Sequence, residues 1–135
     1  MIYIDTGAFI SRHLAKDQYH RPSVEFWNVI TKKGESCVTS NFVLDETFTL
    51  LGRRGGYTFA AQRARNIYGS EAVKIIRPDL NDELRAIDLF EKYADQNLSF
   101  TDCISLVLMK TRRIKRVFTF DNHFQYLGFQ TFPKI

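Results

Sequence analysis

Short β-rich runs alternate with longer helical patterns along the chain, and this alternation constrains the fold more than any other feature. The predicted strands cover residues 2–4, 36–39, 73–77 and 116–119, with a fifth at 129–132. The predicted helices cover residues 8–14, 22 to about 33, 40 or 41 to about 54, 58 to about 68, 80–94, and 99 or 101 to about 110. Strands separated by helices favour a parallel sheet with right-handed crossovers. We therefore predict a single domain over residues 1–135, a three-layer α/β/α sandwich with a central parallel sheet of four or five strands.

Glycine and hydroxyl residues mark the predicted helix ends. Gly34 ends one helix, the pair Gly55 and Gly56 ends the next, and Thr58 caps the helix that follows. The helix at 80–94 has its large apolar side chains on one stripe, formed by Leu80, Leu84, Ile87 and Phe90.

Charge and cysteine content narrow the class of protein. The net charge of +4 favours a polyanionic partner such as RNA. Cys37 and Cys103 fit no metal-binding spacing, and each lies in an apolar segment where it is expected to act as a small core residue. The sequence shows no signal peptide and no apolar run of membrane-spanning length. We predict a cytoplasmic protein that is not inserted in a membrane.

Four acidic residues, far apart in the sequence, are each predicted where a strand ends or a helix begins: Asp5, Glu46, Asp102 and Asp121. In doubly wound folds, ligands bind outside the carboxyl ends of the strands. If the strand order reverses between the first and fourth strands, those strands are neighbours and Asp5 meets Asp121. Taken singly, Asp102 also suits the dipole of a helix start, and Asp5 and Asp121 also suit turns.

Among the four acids, Glu46 gives the strongest independent evidence for a functional site. Helical spacing puts it on the same face as Phe42, Val43 and Leu50, whereas Asp45 turns about 100° away toward solvent. A carboxylate on an apolar face is costly unless it is paired or bound to a metal. Glu46 is therefore predicted to serve a site and not the surface.

Oxygen ligands favour Mg²⁺ or Mn²⁺ over zinc, with one or two ions at this site. Such ions activate water and polarise phosphoryl oxygens, which is the chemistry of phosphodiester hydrolysis. Thr6 and Thr119 are candidates to position the water or a metal-bound water, and either hydroxyl could equally serve a structural role.

Four segments together resemble the PIN-domain ribonucleases. They are residues 3–6, 39–47, 99–103 and 118–124, and they occur in the family's order across nearly the whole chain. The chain looks closest to the small stand-alone members, the VapC-type toxins of toxin–antitoxin pairs.

The resemblance implies a Mg²⁺- or Mn²⁺-dependent endoribonuclease that hydrolyses single-stranded regions of structured RNA and leaves a 5′-phosphate and a 3′-hydroxyl. It maps the family's catalytic, metal-binding quartet onto Asp5, Glu46, Asp102 and Asp121. It also implies a homodimer and a small antitoxin protein as partners. A stand-alone RNA-processing nuclease without an antitoxin is the alternative within the family.

Basic residues are spread over several segments. Five of the seven residues at 110–116 are basic, but they join a helix end to a strand start, at the edge opposite the predicted site. Arg12 and Lys16, which follow the Asp5 turn, and Arg53 and Arg54 are the better candidates for RNA contact, through phosphates and without base readout. Arg63 and Arg65 lie in the same helical hairpin around Gly55 and Gly56, which suits contact with RNA, a second subunit or an antitoxin, and equally suits a solvated helix face.

Other chemistries fit the sequence less well. His13, His20 and His123 show no metalloprotease spacing and are expected on the surface or in packing. An aspartyl-phosphate mechanism through Asp5 lacks the second acid of the phosphatases, because Gly7 stands there. A non-catalytic RNA- or protein-binding module remains the alternative outside enzymology.

Overall fold

The computed structural model describes residues 1–134 and has five short strands connected by helices. The strands are β1 (Ile2–Ile4), β2 (Cys37–Ser40), β3 (Val73–Ile76), β4 (Arg116–Phe118) and β5 (Gln130–Phe132). The helices are α1 (Thr6–His13), α2 (His20–Lys33), α3 (Asn41–Gly55), α4 (Tyr57–Gly69), α5 (Leu80–Lys92), α6 (Phe100–Thr111) and α7 (His123–Tyr126). Every predicted strand and helix is present. The added helix, α7, is a single turn, too short to leave a periodic pattern in the sequence.

The strand order explains where a site can form. The sheet runs β3-β2-β1-β4-β5, and all neighbouring strands are parallel. The chain builds outward from β1 in one direction through β2 and β3, and then returns to place β4 on the other side of β1. The strand order does reverse between the first and fourth strands, which was the condition for Asp5 to meet Asp121, and the switch point lies where β1 and β4 end.

Helices cover both faces of the sheet. On one face, Trp27 of α2 packs against Phe9 of α1 and Phe118 of β4. On the other face, the Tyr3 hydroxyl lies 2.9 Å from the hydroxyl of Ser105 in α6. Ile4 pairs with Phe118 in the sheet, so these two side chains lie on the same face. Successive side chains of a strand point to opposite faces, so Tyr3 lies on the other face, and the two contacts come from opposite sides of the sheet. The predicted three-layer α/β/α architecture is confirmed.

Helix α6 is the most deeply buried helix. Its residues 103–109 are all buried, including Cys103, and Cys37 of β2 is buried as well. Both cysteines are buried and act as core residues, as predicted, and the structure shows them as free thiols. Within residues 1–134, none of the helices has both the length and the apolar character needed to cross a membrane.

Two predicted helix starts differ from the structure. α1 begins at Thr6, directly after Asp5, and not at residue 8, so the helix starts at the switch point itself. Thr58 does not cap α4, since Gly56 occupies the N-cap position with a φ of 98°. A positive φ is easily adopted by glycine, which lets the chain turn sharply from α3 into α4.

The apolar stripe of α5 faces outward. Leu80, Leu84, Ile87 and Phe90 are 68%, 51%, 51% and 48% exposed. The helix instead buries the small side chain of Ala86, and Leu89 packs against the core, next to α6. The stripe is therefore an exposed apolar surface, which single soluble domains seldom leave uncovered.

Candidate active site

A cavity of about 830 Å³ opens at the switch point of the sheet. All four predicted acids line it: Asp5, Glu46, Asp102 and Asp121. They reach it from four different elements or their ends, namely the β1–α1 junction, α3, α6 and the segment after β4. The structure thus brings together residues that span 116 positions of the sequence (5 to 121).

Asp5 is the most buried of the acids, with 6% of its surface exposed. Its Oδ2 accepts a hydrogen bond from Thr119 Oγ1 at 2.7 Å, and its backbone N–H donates to the carbonyl of Phe118 at 3.0 Å. Burial, followed by the negative charge of Asp102, raises the pKa of Asp5 to about 7. The ionised form of Asp5 is therefore disfavoured unless a positive charge lies beside it.

Thr119 connects two of the acids. While its hydroxyl donates to Asp5, the same oxygen accepts the backbone N–H of Asp121 at 3.0 Å. The buried Oγ1 of Thr6 also belongs to a residue that lines the cavity, and it has no hydrogen-bond partner among residues 1–134. Thr119 thus holds the acids in place, and Thr6 keeps a polar group free at the cavity wall.

Asp102 has two functions at once. It forms a capping box with Ser99: Asp102 Oδ2 accepts the Ser99 N–H at 3.0 Å, and Ser99 Oγ accepts the Asp102 N–H at 3.0 Å. The cap uses one carboxylate oxygen and leaves the other to the cavity. Burial raises the pKa of Asp102 above its ordinary value, and the charges of Asp121 and Glu46 add to that effect.

Glu46 lies half-buried on α3, whereas the adjacent Asp45 is exposed. Val43, one turn earlier, is buried, and Leu50, one turn later, lines the same cavity. The helical geometry predicted for Glu46 is therefore the observed geometry.

His123 is a site residue that the sequence argument assigned to the surface or to packing. Its backbone N–H donates to Asp121 Oδ1 at 2.9 Å, and its ring Nδ1 lies 2.6 Å from that oxygen without forming an aligned hydrogen bond. Asp102, Asp121 and His123 each offer a ligand atom, and these atoms lie within 4.8 Å of one another. In the sequence, the only indication that His123 belongs to the site is its position two residues after Asp121.

The ligand set fits a divalent cation. The cavity concentrates carboxylate oxygens, whose repulsion adds to the burial that raises the pKa of Asp5, and His123 adds one imidazole nitrogen. Hard oxygen ligands with few nitrogens suit Mg²⁺ or Mn²⁺.

Aromatic residues form part of the cavity wall and were not singled out from the sequence. Tyr126 of α7 is 80% exposed and lines the cavity. Tyr19 and Phe120 also line it and stack on each other with ring centroids 4.5 Å apart and planes 5° apart. The exposed ring of Tyr126 beside this polar cavity offers a surface on which an unpaired base can stack.

Of the four basic residues predicted to contact RNA, only Arg54 lines this cavity. Its guanidinium pairs with Asp17 at 3.2 Å, so part of its charge is already matched. Arg53 and Lys16 are exposed and lie outside the cavity wall. Arg12 was expected near the Asp5 turn, but the end of α1 carries it to a different cavity, because its side chain leaves the helix on another face.

The basic run at 110–116 lies away from the acids, as predicted from topology. None of its members lines the acidic cavity. Arg116, at the start of β4, pairs with Glu35, which precedes β2. Both residues lie at the amino ends of parallel strands, the edge opposite the candidate site.

Comparison with known proteins agrees with this geometry. The family model described as "PIN domain" matches residues 2–130. A curated relative from Mycobacterium tuberculosis (strain ATCC 25618 / H37Rv), named 23S rRNA-specific endonuclease VapC20, is 32% identical over 129 residues, which cover 96% of this chain and 95% of the relative. A VapC ribonuclease from Archaeoglobus fulgidus is 29% identical over 123 residues, covering 90% and 77% of the two chains.

A solved structure is similar over the same extent. The crystal structure of Mycobacterium tuberculosis VapC20, described as a sarcin–ricin loop cleaving toxin, superposes with a TM-score of 0.87 at 29% identity and covers 96% of each chain. The relatives named as nucleases confirm the predicted enzyme class. With its acids gathered at the β1–β4 switch point and a family match over nearly its whole length, this chain belongs to the PIN-domain family.

Proposed function

We propose that this protein is an endoribonuclease of one nuclease domain, which hydrolyses phosphodiester bonds in single-stranded regions of RNA. The observation that carries the proposal is the buried Asp5, whose pKa is raised to about 7 in a cavity shared with Glu46, Asp102 and Asp121. A group of acids that destabilise one another's charge is expected to bind a cation in the working state.

Asp102, Asp121 and His123 offer ligand atoms close to one another, and Asp5 and Glu46 line the same cavity. The four acids would together hold one or two Mg²⁺ or Mn²⁺ ions, with His123 beside Asp121. Such ions supply an activated water and stabilise charge on the phosphate oxygens. The chain itself supplies the positioning: Thr119 fixes Asp5 relative to Asp121, and Ser99 fixes Asp102. Thr6, with its unpartnered hydroxyl, is proposed to orient water at the cavity wall.

Two adjacent residues of α3 provide a matched test. Glu46→Gln removes a carboxylate from the cavity, whereas Asp45→Asn makes the same chemical change on the exposed face. Mn²⁺ should raise the Tm of the wild type and of Asp45→Asn, because a cation that binds only the folded state stabilises it. Glu46→Gln should show a much smaller rise and should lose RNA cleavage. Equal Mn²⁺ stabilisation and equal cleavage in the two variants would remove Glu46 from the site.

The substrate proposed first is a structured ribosomal RNA loop. The support is a relative named as 23S rRNA-specific and a similar structure described as cleaving the sarcin–ricin loop. Incubating ribosomes with the wild type and with Asp5→Asn, then mapping new 5′-phosphate ends, tests this. Cleavage of other transcripts would mean that the substrate is a different RNA, and the proposed nuclease activity would still hold. RNA binding without cutting in the presence of Mn²⁺ would favour a non-catalytic binding module.

We also propose that the chain is the toxin of a toxin–antitoxin pair and is inhibited by a small antitoxin whose tail enters the acidic cavity. The names of the relatives support the toxin assignment. A cytoplasmic location is part of the same proposal, supported by the free thiols of Cys37 and Cys103. Growth arrest on expression, relieved by a co-expressed neighbouring gene product, tests the pairing. RNA cleavage without growth arrest would favour a stand-alone processing nuclease.

A homodimer through α5 is proposed from the exposed apolar stripe. Burying Leu80, Leu84 and Ile87 against a second copy would remove a surface that costs free energy in water. Leu84→Glu with Ile87→Glu should yield monomers by light scattering, whereas Lys92→Glu, which adds the same side chain at another exposed position of α5, should not. A wild type that is monomeric at micromolar concentration contradicts this proposal.

A further inference from the structure

A second cavity, of about 500 Å³, lies between the end of α1, α2, α4 and the start of β3. Its charged and titratable lining residues are Arg12, His13 and Arg63. No Asp or Glu belongs to its wall in the described part of the chain, residues 1–134. We call it the basic cavity. Inside this cavity the two guanidinium groups have no carboxylate beside them, which indicates a place for an anion, and Arg12 alone of the two also lines an adjoining cavity that contains Glu35 and Glu71.

Arg12 is solvent-accessible and held in a defined orientation. Its guanidinium carbon lies 4.4 Å from the ring centroid of Trp27, a stacking arrangement typical of arginine. The indole is itself fixed, because Trp27 Nε1 donates to the carbonyl of Ala8 at 3.1 Å. Stacking holds the guanidinium plane and leaves its N–H donors available at the edge.

Arg63 is half-buried and points into the same cavity. Its Nε is shielded from solvent and has no hydrogen-bond partner within residues 1–134, and its guanidinium lies 5.1 Å from the ring centroid of Phe59. Among those residues, neither Arg12 nor Arg63 forms an ion pair with a carboxylate. A shielded guanidinium N–H without an acceptor is costly, so an acceptor is expected there.

His13 completes the group. Its Nε2 is buried and also lacks a partner among the described residues. Burial, and then the positive charges of Arg12 and Arg63, lower the pKa of His13 to about 4. The imidazole is therefore neutral at physiological pH and can offer one N–H to an anion.

Helix electrostatics account for only part of this arrangement. Arg12 and His13 stand in the last turn of α1, where the helix dipole favours positive charge. Arg63 stands in the middle of α4, where the dipole has no such effect. The helix dipole therefore does not explain why Arg63 lies in the same cavity as the end of α1.

We propose that the basic cavity binds a phosphate group, and that in the working protein this is a backbone phosphate of the RNA whose cleavage was proposed above. Two guanidinium groups and one imidazole provide several N–H donors around one space, and the non-bridging oxygens of a phosphate accept charge-assisted hydrogen bonds of this kind. The hydroxyl of Ser70 adds another donor, because Ser70 Oγ accepts the N–H of Ala72 at 3.0 Å and keeps its own proton free.

Helix α1 connects this cavity to the acids. Thr6 and Ile10 line the acidic cavity, whereas Phe9, Arg12 and His13 line the basic one. Thr6 and Arg12 are six positions apart, which corresponds to about 9 Å along a helix. In this proposal, an RNA strand with one phosphate among the acids places a more distant phosphate at Arg12 and Arg63.

The first arm of the test uses inorganic phosphate and the full chain without divalent metal. Phosphate should shift the NMR resonances of the His13 imidazole in a saturable manner, at constant ionic strength. Arg63→Gln should weaken this binding about tenfold or more. Arg65→Gln, a matched change at an exposed position of the same helix outside the cavity wall, should leave it unchanged. Arg12→Gln supplies a second variant at a solvent-accessible position, should Arg63→Gln fail to fold.

The second arm separates the two sources of phosphate. In an Asp5→Asn background, which should bind RNA without cutting it, Arg63→Gln should lower the slope of log affinity against log salt by about one. If phosphate binds but Arg63→Gln leaves the salt dependence of RNA affinity unchanged, the site binds free phosphate or a nucleotide. That result would overturn the proposal that the site binds the RNA backbone. No saturable phosphate effect on His13 overturns the whole proposal. Because neither arm measures cleavage, both remain informative if the nuclease proposal fails.

Discussion

Two cavities of opposite charge lie on different faces of α1. In the acidic cavity, burial and neighbouring carboxylates raise the pKa of Asp5 to about 7; in the basic cavity, burial and neighbouring guanidinium groups lower the pKa of His13 to about 4. Both shifts disfavour the charged form, and they have the same two causes, first burial away from water and then like charges nearby. An ion of the opposite sign would relieve each.

The difference between the cavities lies in how each group of like charges is assembled. Thr119 and Ser99 hold the acids through short hydrogen bonds, which fixes their geometry. The basic residues are held instead by aromatic stacking on Trp27 and Phe59 and keep their N–H donors free. Tightly fixed acids suit chemistry at one point, whereas stacked cations suit binding of a strand.

The largest expected effect tests whether the acidic cavity serves catalysis while the basic cavity serves RNA binding. Asp5→Asn should lower kcat for RNA cleavage by at least about a hundredfold, because the proposed function makes Asp5 a ligand of the metal. Arg12→Gln should act mainly on KM, raising it severalfold, because it removes an interaction made equally in the ground state and the transition state. Steady-state kinetics with a fluorescent RNA oligonucleotide measure both. A large fall in kcat for Arg12→Gln would mean that the two cavities are not separate in function.

The second effect concerns stability against pH in the absence of metal. The folded-state pKa of Asp5 is about 7 and its unfolded value is about 4, so between those values the folded chain retains a proton that the unfolded chain loses. The free energy of unfolding should therefore fall as pH rises from about 4 to about 7, by at most about 4 kcal/mol for this group.

Urea unfolding at several pH values, with EDTA present, measures that dependence. Asp5→Asn should flatten it, and Asp45→Asn, an exposed change, should not. If the wild type and Asp5→Asn lose stability equally over this window, the raised pKa of Asp5 is wrong.

A third effect lies in the basic cavity. Bound phosphate should raise the apparent pKa of His13 from its value of about 4, because a nearby negative charge favours the imidazolium. Two-dimensional NMR of the imidazole, titrated against pH with and without phosphate, reports the change. His20, whose Nδ1 lies 2.7 Å from the carbonyl of Ser11 and which lies outside the wall of the basic cavity, serves as an internal control.

The smallest effect is expected from the basic run between α6 and β4. Changing Arg112, Arg113 and Lys115 together to glutamine should alter cleavage of a short oligonucleotide by less than about twofold, because these residues stand at the edge opposite the acids. Arg116 is left unchanged, since it pairs with Glu35. A loss comparable to that of Asp5→Asn would contradict the topology argument.

Much of the acidic site could be predicted, because it depends on a general rule of parallel sheets. Asp5 and Asp121 follow strands, and the carboxyl ends of parallel strands share one edge. Glu46 could be placed from helical periodicity alone. His123 could not, because its position beside Asp121 depends on α7, a single turn too short to show periodicity.

The apolar stripe of α5 shows a limit of periodicity. The spacing of Leu84, Ile87 and Phe90 correctly predicts that they share one face, but not which face the domain buries. That choice depends on the neighbour: α6 packs against the side of α5 that contains Ala86, where a small side chain permits close approach.

The chain's local pattern by itself determined the α/β architecture, the ends of most helices and the positions of the four acids at one edge, because each follows from spacing or strand polarity. Only the tertiary structure decided that Arg12 leaves the acids and meets Arg63, a residue 51 positions later (12 to 63). It also decided that Thr119 joins Asp5 to Asp121. Such contacts depend on how the α3–α4 hairpin and the β1–β4 pair bring distant segments together, and no local pattern encodes that path.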